Sequence, residues 1–64
     1  MDIVININCD NQAFERNEDN ELVRILTKLA ADIKENGYYR MSDTRLRDVN
    51  GNTVGRFKVV EDDD

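Results

Sequence analysis

The chain has 64 residues, with 9 Lys+Arg against 14 Asp+Glu, a formal net charge of -5, no His and one Cys. At this length a second domain is not expected, one thiol cannot pair within the chain, and no stretch approaches the ~20 apolar residues of a membrane span. Met1-Asp2 does not fit the start of a signal peptide. We expect one domain over residues 1–64, in a reducing compartment and without a direct nucleic-acid interface, which would need a basic surface.

The first predicted element is a strand over residues 2–9, because side chains alternate there with a period of two. The row expected to face the core comprises Ile3, Ile5, Ile7 and Cys9, and the row on the open face comprises Val4, Asn6 and Asn8. Cys9 is therefore interpreted as a small buried hydrophobe. A polar loop follows over residues 10–20, and Phe14 is expected to plug this loop onto the core.

A helix is predicted over residues 21–36. Its apolar stripe has helical spacing and comprises Leu22, Leu26, Leu29 and Ile33, widened by Val23, Ile25 and Ala30. Asp19 or Asn20 suits the N-cap, and Asn36-Gly37 suits the C-terminal stop. A connector over residues 38–43 leads into the last part of the chain.

Residues 44–60 predict a β-hairpin with strands over residues 44–49 and 53–60. Asn50-Gly51 supplies the turn, because a two-residue hairpin loop needs positive φ at both central positions. Asn52 is expected to widen the turn or form a bulge. Gly55 is expected to mark another bulge or a place where the helix packs close. The acidic residues 61–64 are expected to fray.

The predicted fold class is α+β, with the element order β-α-β-β and one helix packed on a three-stranded antiparallel sheet. A right-handed crossover from the first strand through the helix favours placing the third strand between the other two, in the order 1-3-2. This arrangement leaves two exposed sheet edges and one open sheet face, and these surfaces are where function is sought.

Enzyme chemistry is not supported, because the chain has no His and its only Ser has no neighbouring base. We expect a non-enzymatic protein with no catalytic residues, no cofactor and no metal. Charge, however, is unevenly distributed. Residues 1–23 carry six acids against one base, residues 24–60 carry eight bases against four acids, and residues 61–64 are all acidic.

Three candidate surfaces follow from this distribution. The first is an acidic face that meets a basic partner, formed by Asp10, Glu15, Glu18, Asp19 and Glu21; its structural alternative is that these acids complement the helix dipole. The second is an anchor formed by Tyr38, Tyr39 and Arg40, with the alternative that one Tyr caps the core. The third is an anion site on the open sheet face, formed by Arg45, Arg47, Arg56 and Lys58, with the alternatives that this face is simply solvated or that an edge strand pairs two copies into a homodimer.

Three segments carry a resemblance to known proteins: Asp10-Asn11-Gln12-Ala13-Phe14-Glu15, Leu22-Val23-Arg24-Ile25-Leu26, and the run from Leu46 to Gly55. In this pattern the chain resembles short accessory proteins encoded by tailed phages and prophages. The resemblance implies a protein of the cytoplasm of an infected bacterium and transfers no catalytic or ligand residue. Short acidic phage proteins include inhibitors of host machinery, of the anti-CRISPR and anti-restriction type.

The leading hypothesis is therefore a non-enzymatic phage accessory protein that binds and inhibits a host protein complex that handles nucleic acid in defence. One alternative is a homo-oligomer that sequesters a small anion or nucleotide on its open sheet face. Another is a structural component of the virion.

Overall fold

A computed structural model describes residues 1–15 and 18–61, with Glu18 described by its backbone alone. The elements in chain order are the strand β1 (Asp2–Ile7), a 3-10 helix (Gln12–Phe14), the helix α1 (Glu18–Asn36), and the strands β2 (Thr44–Arg47) and β3 (Thr53–Val60). The predicted α+β class and β-α-β-β order are confirmed. Across the described residues, no helix combines the length and apolar character needed to cross a membrane. The expected fraying of residues 61–64 falls, beyond Glu61, outside the described residues.

The three strands form one antiparallel sheet in the predicted order, with β3 between β1 and β2. The ladder between β1 and β3 runs from the pair Asp2–Val60 to the pair Ile7–Gly55. The ladder between β2 and β3 is shorter, and its register shifts between Leu46 and Arg47. β1 and β2 are therefore the two edges of the sheet.

The boundaries of three elements differ from the prediction. β1 ends at Ile7 rather than at residue 9, and the Asn8 side chain accepts a hydrogen bond from the Asp10 N–H at 2.8 Å. Such a local bond competes with strand pairing. β2 likewise ends at Arg47 rather than at residue 49, and α1 begins three residues earlier than predicted. β3 has its predicted bounds.

The connection between β2 and β3 is a loop of three residues, Val49, Asn50 and Gly51, between the paired residues Asp48 and Asn52. This loop corrects the predicted two-residue turn. The Asp48 N–H donates to the Asn52 carbonyl at 2.9 Å, and the Gly51 N–H donates to the Asp48 carbonyl at 3.0 Å. Within this loop only Gly51 has a positive φ, at 86°. Asn50 therefore does not adopt the left-handed conformation, and the loop is the type in which a left-handed glycine follows an ordinary turn.

The core lies between α1, the 3-10 helix and the β2–β3 part of the sheet. It comprises Phe14, Ile25, Leu29, Met41, Leu46, Val54 and Phe57. Phe14 is 1% exposed, so the predicted plug of the loop is confirmed. The helix covers the core with Ile25 and Leu29, whereas Leu26 on the same predicted stripe is exposed.

β1 lies largely outside this core, which overturns the predicted burial of its apolar row. Ile3 and Ile5 are 44% and 43% exposed, and Ile7 is the residue of β1 that packs partly against the core. The helix packs mainly against the 3-10 helix and β2. Cys9 lies beyond the end of β1 and is exposed, so its interpretation as a buried hydrophobe is wrong.

At Gly55 the backbone of β1 approaches β3 closely. A Cβ placed on Gly55 would lie 1.7 Å from the Asn6 carbonyl oxygen, so only glycine fits there. The close neighbour is therefore the backbone of β1 and not the helix. Val54 and Phe57 are both buried although they are three residues apart. The side-chain alternation of β3 is thus interrupted between Val54 and Gly55, where the ladder to β2 skips Val54.

Candidate functional site

The five acids predicted to form one binding face separate in the structure. Asp10, Glu15 and Asp19 are exposed, the first two in the connection from β1 to α1 and the third in the first turn of α1. The Glu18 side chain lies outside what the structure describes. Glu21 is only 6% exposed and is paired internally. The acidic end is therefore defined here as Asp10, Glu15 and Asp19.

Glu21 joins the first turns of α1 to the β2–β3 loop. Its carboxylate accepts hydrogen bonds from Arg24 Nε at 2.6 Å and from the Val49 N–H at 2.8 Å. The hydrogen bond from Arg24, the larger effect, lowers the pKa of the Glu21 carboxyl in spite of its burial. Arg24 also donates from Nη2 to the Arg47 carbonyl at 3.2 Å. Glu21 is committed to the fold, which removes it from the predicted binding face.

Asp48 is the second buried acid, at 4% exposure, and it organises the β2–β3 loop. Its Oδ1 accepts from the N–H groups of Asn50 and Asn52 at 2.9 and 2.8 Å, and its Oδ2 accepts from the Asn11 and Asn52 side-chain amides at 2.6 and 3.2 Å. Burial alone would raise the pKa of Asp48, but these hydrogen bonds outweigh it and hold the pKa below its ordinary value. The Asp-x-Asn-Gly-Asn sequence indicates this role of Asp48, because the side chain of an Asp before such a turn accepts a hydrogen bond from the backbone two residues later.

Tyr38 and Tyr39 lie at the other end of β1. Their rings stack with centroids 4.9 Å apart and planes at 29°. Tyr39 Oη donates to Glu61 Oε1 at 2.8 Å and contacts Met1 Sδ at 3.3 Å, and the bond to Glu61 raises the pKa of Tyr39. The rings are 40% and 60% exposed. Neither ring caps the core, and Arg40 beside them is exposed as well.

The acidic end and the tyrosine pair do not form one surface. β1 runs between them, and its six residues extend about 20 Å. The whole molecule measures 44 × 24 × 17 Å. A partner that contacts both regions must therefore reach along much of the molecule, so we treat them as two separate candidate surfaces.

The basic residues of the predicted anion site are only partly brought together. Arg45 lies directly opposite Arg56 in the sheet, and by alternation Lys58 shares their face. Arg56 Nη1 is paired with Asp43 Oδ1 at 3.0 Å. Arg47 lies beyond the register shift and donates from Nη1 to the Gly51 carbonyl at 3.4 Å. The four cations are therefore not one convergent site.

A groove of about 400 Å³ lies between α1 and β2. Its charged lining residues are Arg24, Lys28, Asp32, Arg45, Arg47 and Asp48. Two of the cations are already paired, Arg24 with Glu21 at 2.6 Å and Lys28 with Asp32 at 3.2 Å. In the described part of the chain, Arg45 and Arg47 have no carboxylate partner, so they are the groups that an anion in this groove would meet.

Residues 1–15 and 18–61 contain no group of three or more His, Cys, Asp or Glu side chains arranged to hold a metal ion. Comparison of the chain with family models, with curated proteins and with solved structures finds no match.

Proposed function

We propose that this chain is a non-enzymatic accessory protein of a phage or prophage that binds a host protein and blocks it. The target we favour is a complex that handles nucleic acid in defence. The supporting observation is the acidic end: Asp10, Glu15 and Asp19 are exposed, and none has a cationic partner among the described residues. Unpaired carboxylates on one end of a small protein suit a basic surface of the kind that holds nucleic acid.

The tyrosine pair supplies a second contact of a different kind. Tyr38 and Tyr39 are exposed but already ordered, because they stack on each other and Tyr39 is hydrogen-bonded to Glu61. Side chains that are held in place before binding lose less entropy when a partner covers them. Tyr is also among the residue types that dominate binding energy at protein interfaces.

The proposal is tested by capture of the tagged protein from host lysate at low and high salt, with mass spectrometry of what is retained. The test variant neutralises the acidic end through Asp10→Asn, Glu15→Gln and Asp19→Asn. The matched control makes the same change in net charge elsewhere, through Asp32→Asn, Glu35→Gln and Asp43→Asn. Both variants keep side chains of similar shape.

We expect wild type and control to retain one host protein in a salt-sensitive, stoichiometric complex. The acidic-end variant should retain about tenfold less, since rim charges steer association and each contributes modestly. If both variants retain equal amounts of the host protein, the acidic end is not part of the interface. Recovery of the tagged protein alone at low salt would contradict the proposal as a whole.

A second candidate function is favoured by the groove between α1 and β2, where Arg45 and Arg47 have no carboxylate partner among the described residues. A nucleotide held there at about 100 times its dissociation constant would stabilise the protein by about 2.7 kcal/mol. A thermal-shift screen would show this, with Arg45→Ala as the variant that loses the shift. No shift with any nucleotide rejects this function, and recovery in purified particles would favour a virion component instead.

A further inference from the structure

The outer edge of β1 lacks the features by which sheet edges avoid pairing with other chains. Natural edge strands are shortened, charged, bulged or interrupted by proline. β1 is six residues long, and after Asp2 its sequence Ile-Val-Ile-Asn-Ile contains no charge, no Pro and no Gly. β2, the other edge, has four residues, and two of them are arginines.

β1 also exposes apolar side chains on both of its faces. Ile3 and Ile5 are 44% and 43% exposed on the face that continues into the core through their partners Val59 and Phe57. Val4 is 37% exposed on the opposite face. Since the helix packs against the 3-10 helix and β2, the outer row of isoleucines belongs to the core face but stays exposed. A patch of this kind at an open edge is typical of an interaction site.

The exposed area of the chain agrees with a missing partner. A compact monomer of 7.4 kDa is expected to expose about 4,200 Å². The chain exposes 4937 Å², about 700 Å² more, and the exposed ends at Met1 and Glu61 supply part of this excess. The exposed isoleucines of β1 contribute to the remainder.

We propose that β1 pairs antiparallel with β1 of a second copy of this chain, about a two-fold axis perpendicular to the sheet. Alternate residues of an antiparallel edge strand point their N–H and C=O groups away from the neighbouring strand. Each copy presents such groups to the other, in the isologous arrangement of two-fold dimers. The result is a six-stranded sheet in which the two outer rows of isoleucines adjoin each other on one face.

The sequence of β1 suits self-pairing in either register that this symmetry allows near its centre. Pairing centred on Val4 places Ile3 of one copy opposite Ile5 of the other, and pairing centred on Ile5 places Ile3 opposite Ile7. Asp2 meets an asparagine in both registers, Asn6 or Asn8, so no like charges oppose each other across the junction. Self-pairing of β2 would instead bring the arginines of two copies together, which disfavours that edge.

The mass of the wild-type chain in solution, measured by sedimentation equilibrium across a wide concentration range, tests this proposal. We compare wild type with Ile5→Lys, which places a charge on the junction, and with Val49→Lys as the control. Val49 is 66% exposed in the β2–β3 loop, so it tests the same chemical change away from β1. Circular dichroism reports whether each variant is folded. If Ile5→Lys fails to fold, Val4→Lys takes its place, because Val4 faces away from the core.

We expect wild type and Val49→Lys to approach twice 7.4 kDa with rising concentration, while the folded β1 variant stays at 7.4 kDa. A wild-type chain that stays at 7.4 kDa throughout would overturn the proposal. A dimer that persists unchanged in the folded β1 variant would also overturn it, because the contact would then lie elsewhere. A wild-type monomer whose β1 becomes protected only in a captured host complex would assign this edge to a strand of the host partner.

Discussion

The β2 edge of the sheet is tied to the helix by hydrogen bonds, whereas the β1 edge is joined to the rest of the fold chiefly through β3. At the β2 edge, Glu21 and Asp48 are buried and hold Arg24, Val49 and the loop backbone. At the β1 edge, Ile3 and Ile5 are exposed without a covering layer. Polar contacts within the chain thus complete the β2 side of the core, whereas the isoleucine row on the β1 side stays exposed, and this is the side where we propose that a second copy binds.

The substitution with the largest expected effect is Gly55→Ala, which attacks the junction of the two regions. Its Cβ would meet the Asn6 carbonyl oxygen at 1.7 Å, so β1 must move away from β3. We expect loss of the folded state at 25 °C, read by circular dichroism. Gly37→Ala is the control, because a Cβ there meets nothing within 4 Å and costs only the left-handed conformation, about 1–2 kcal/mol. Equal melting temperatures of Gly55→Ala and Gly37→Ala would contradict the close approach of the Asn6 carbonyl to Gly55.

A pair of isoleucine substitutions compares the two regions directly. Ile25→Ala removes a side chain that is 3% exposed and should cost 2–5 kcal/mol, roughly the range for buried Ile. Ile5→Ala removes one that is 43% exposed and should cost less than about 1 kcal/mol in dilute solution. Urea unfolding measures both free energies. Similar costs would mean that β1 is covered in the monomer.

Asp48→Ala is expected to lower the melting temperature by roughly 10 °C, because the loop loses the acceptor that holds two N–H groups and two side-chain amides. Asp10→Ala is the matched control, since Asp10 is exposed and its side chain has no partner among the described residues. The control should shift the melting temperature by only ~2 °C. A small shift for Asp48→Ala would show that the turn forms without its cap.

Acid is expected to weaken the β2 region selectively. The folded state holds the pKa values of Glu21 and Asp48 below their ordinary values, so the unfolded chain binds protons more readily. Their contribution is therefore complete above the ordinary pKa values near 4 and is lost as pH falls through the folded values. Thermal melts from pH 7 to about pH 3 should show this decline. Asp48→Asn should decline less steeply, and an equally steep decline would contradict the assignment.

The smallest expected effect concerns the tyrosine pair. Tyr39→Phe removes an exposed hydrogen bond to Glu61 and should change the melting temperature by less than about 2 °C. Ultraviolet titration of the wild type should place the pKa of Tyr39 above the ordinary value near 10. Glu61→Gln should return that pKa towards the ordinary value. Identical titrations of wild type and Glu61→Gln would show that the Tyr39–Glu61 hydrogen bond does not form in solution.

The order of the elements followed from local patterns, because alternation, helical spacing and an Asn-Gly turn signal each depend on nearby residues. The burial of Glu21 did not follow from local pattern, since a first-turn carboxylate ordinarily serves the helix dipole in solvent. Its internal role depends on a contact distant in sequence, the Val49 N–H of the β2–β3 loop, together with the bond from Arg24. Cys9 was misplaced because the expected strand continued two residues too far, past the turn that Asn8 forms with Asp10.

The burial of Asp48 is predictable from the sequence. Its spacing to Asn50 and Asn52 is typical of an Asp that caps a turn, and this signal points to burial with hydrogen bonds. The exposure of Ile3 and Ile5 could not be recovered in that way. Their alternation predicts a face that is covered, but it does not say whether the covering layer belongs to the same chain.

The most direct test of the contrast between the two edges is amide hydrogen exchange, residue by residue, in dilute and in concentrated wild-type protein. We expect slow exchange in the middle of α1 and β3 at both concentrations, and exchange at the outward-facing N–H groups of β1 that is fast when dilute and slow when concentrated. Slow exchange at those groups in the dilute monomer, or fast exchange there at high concentration, would contradict the proposed dimer.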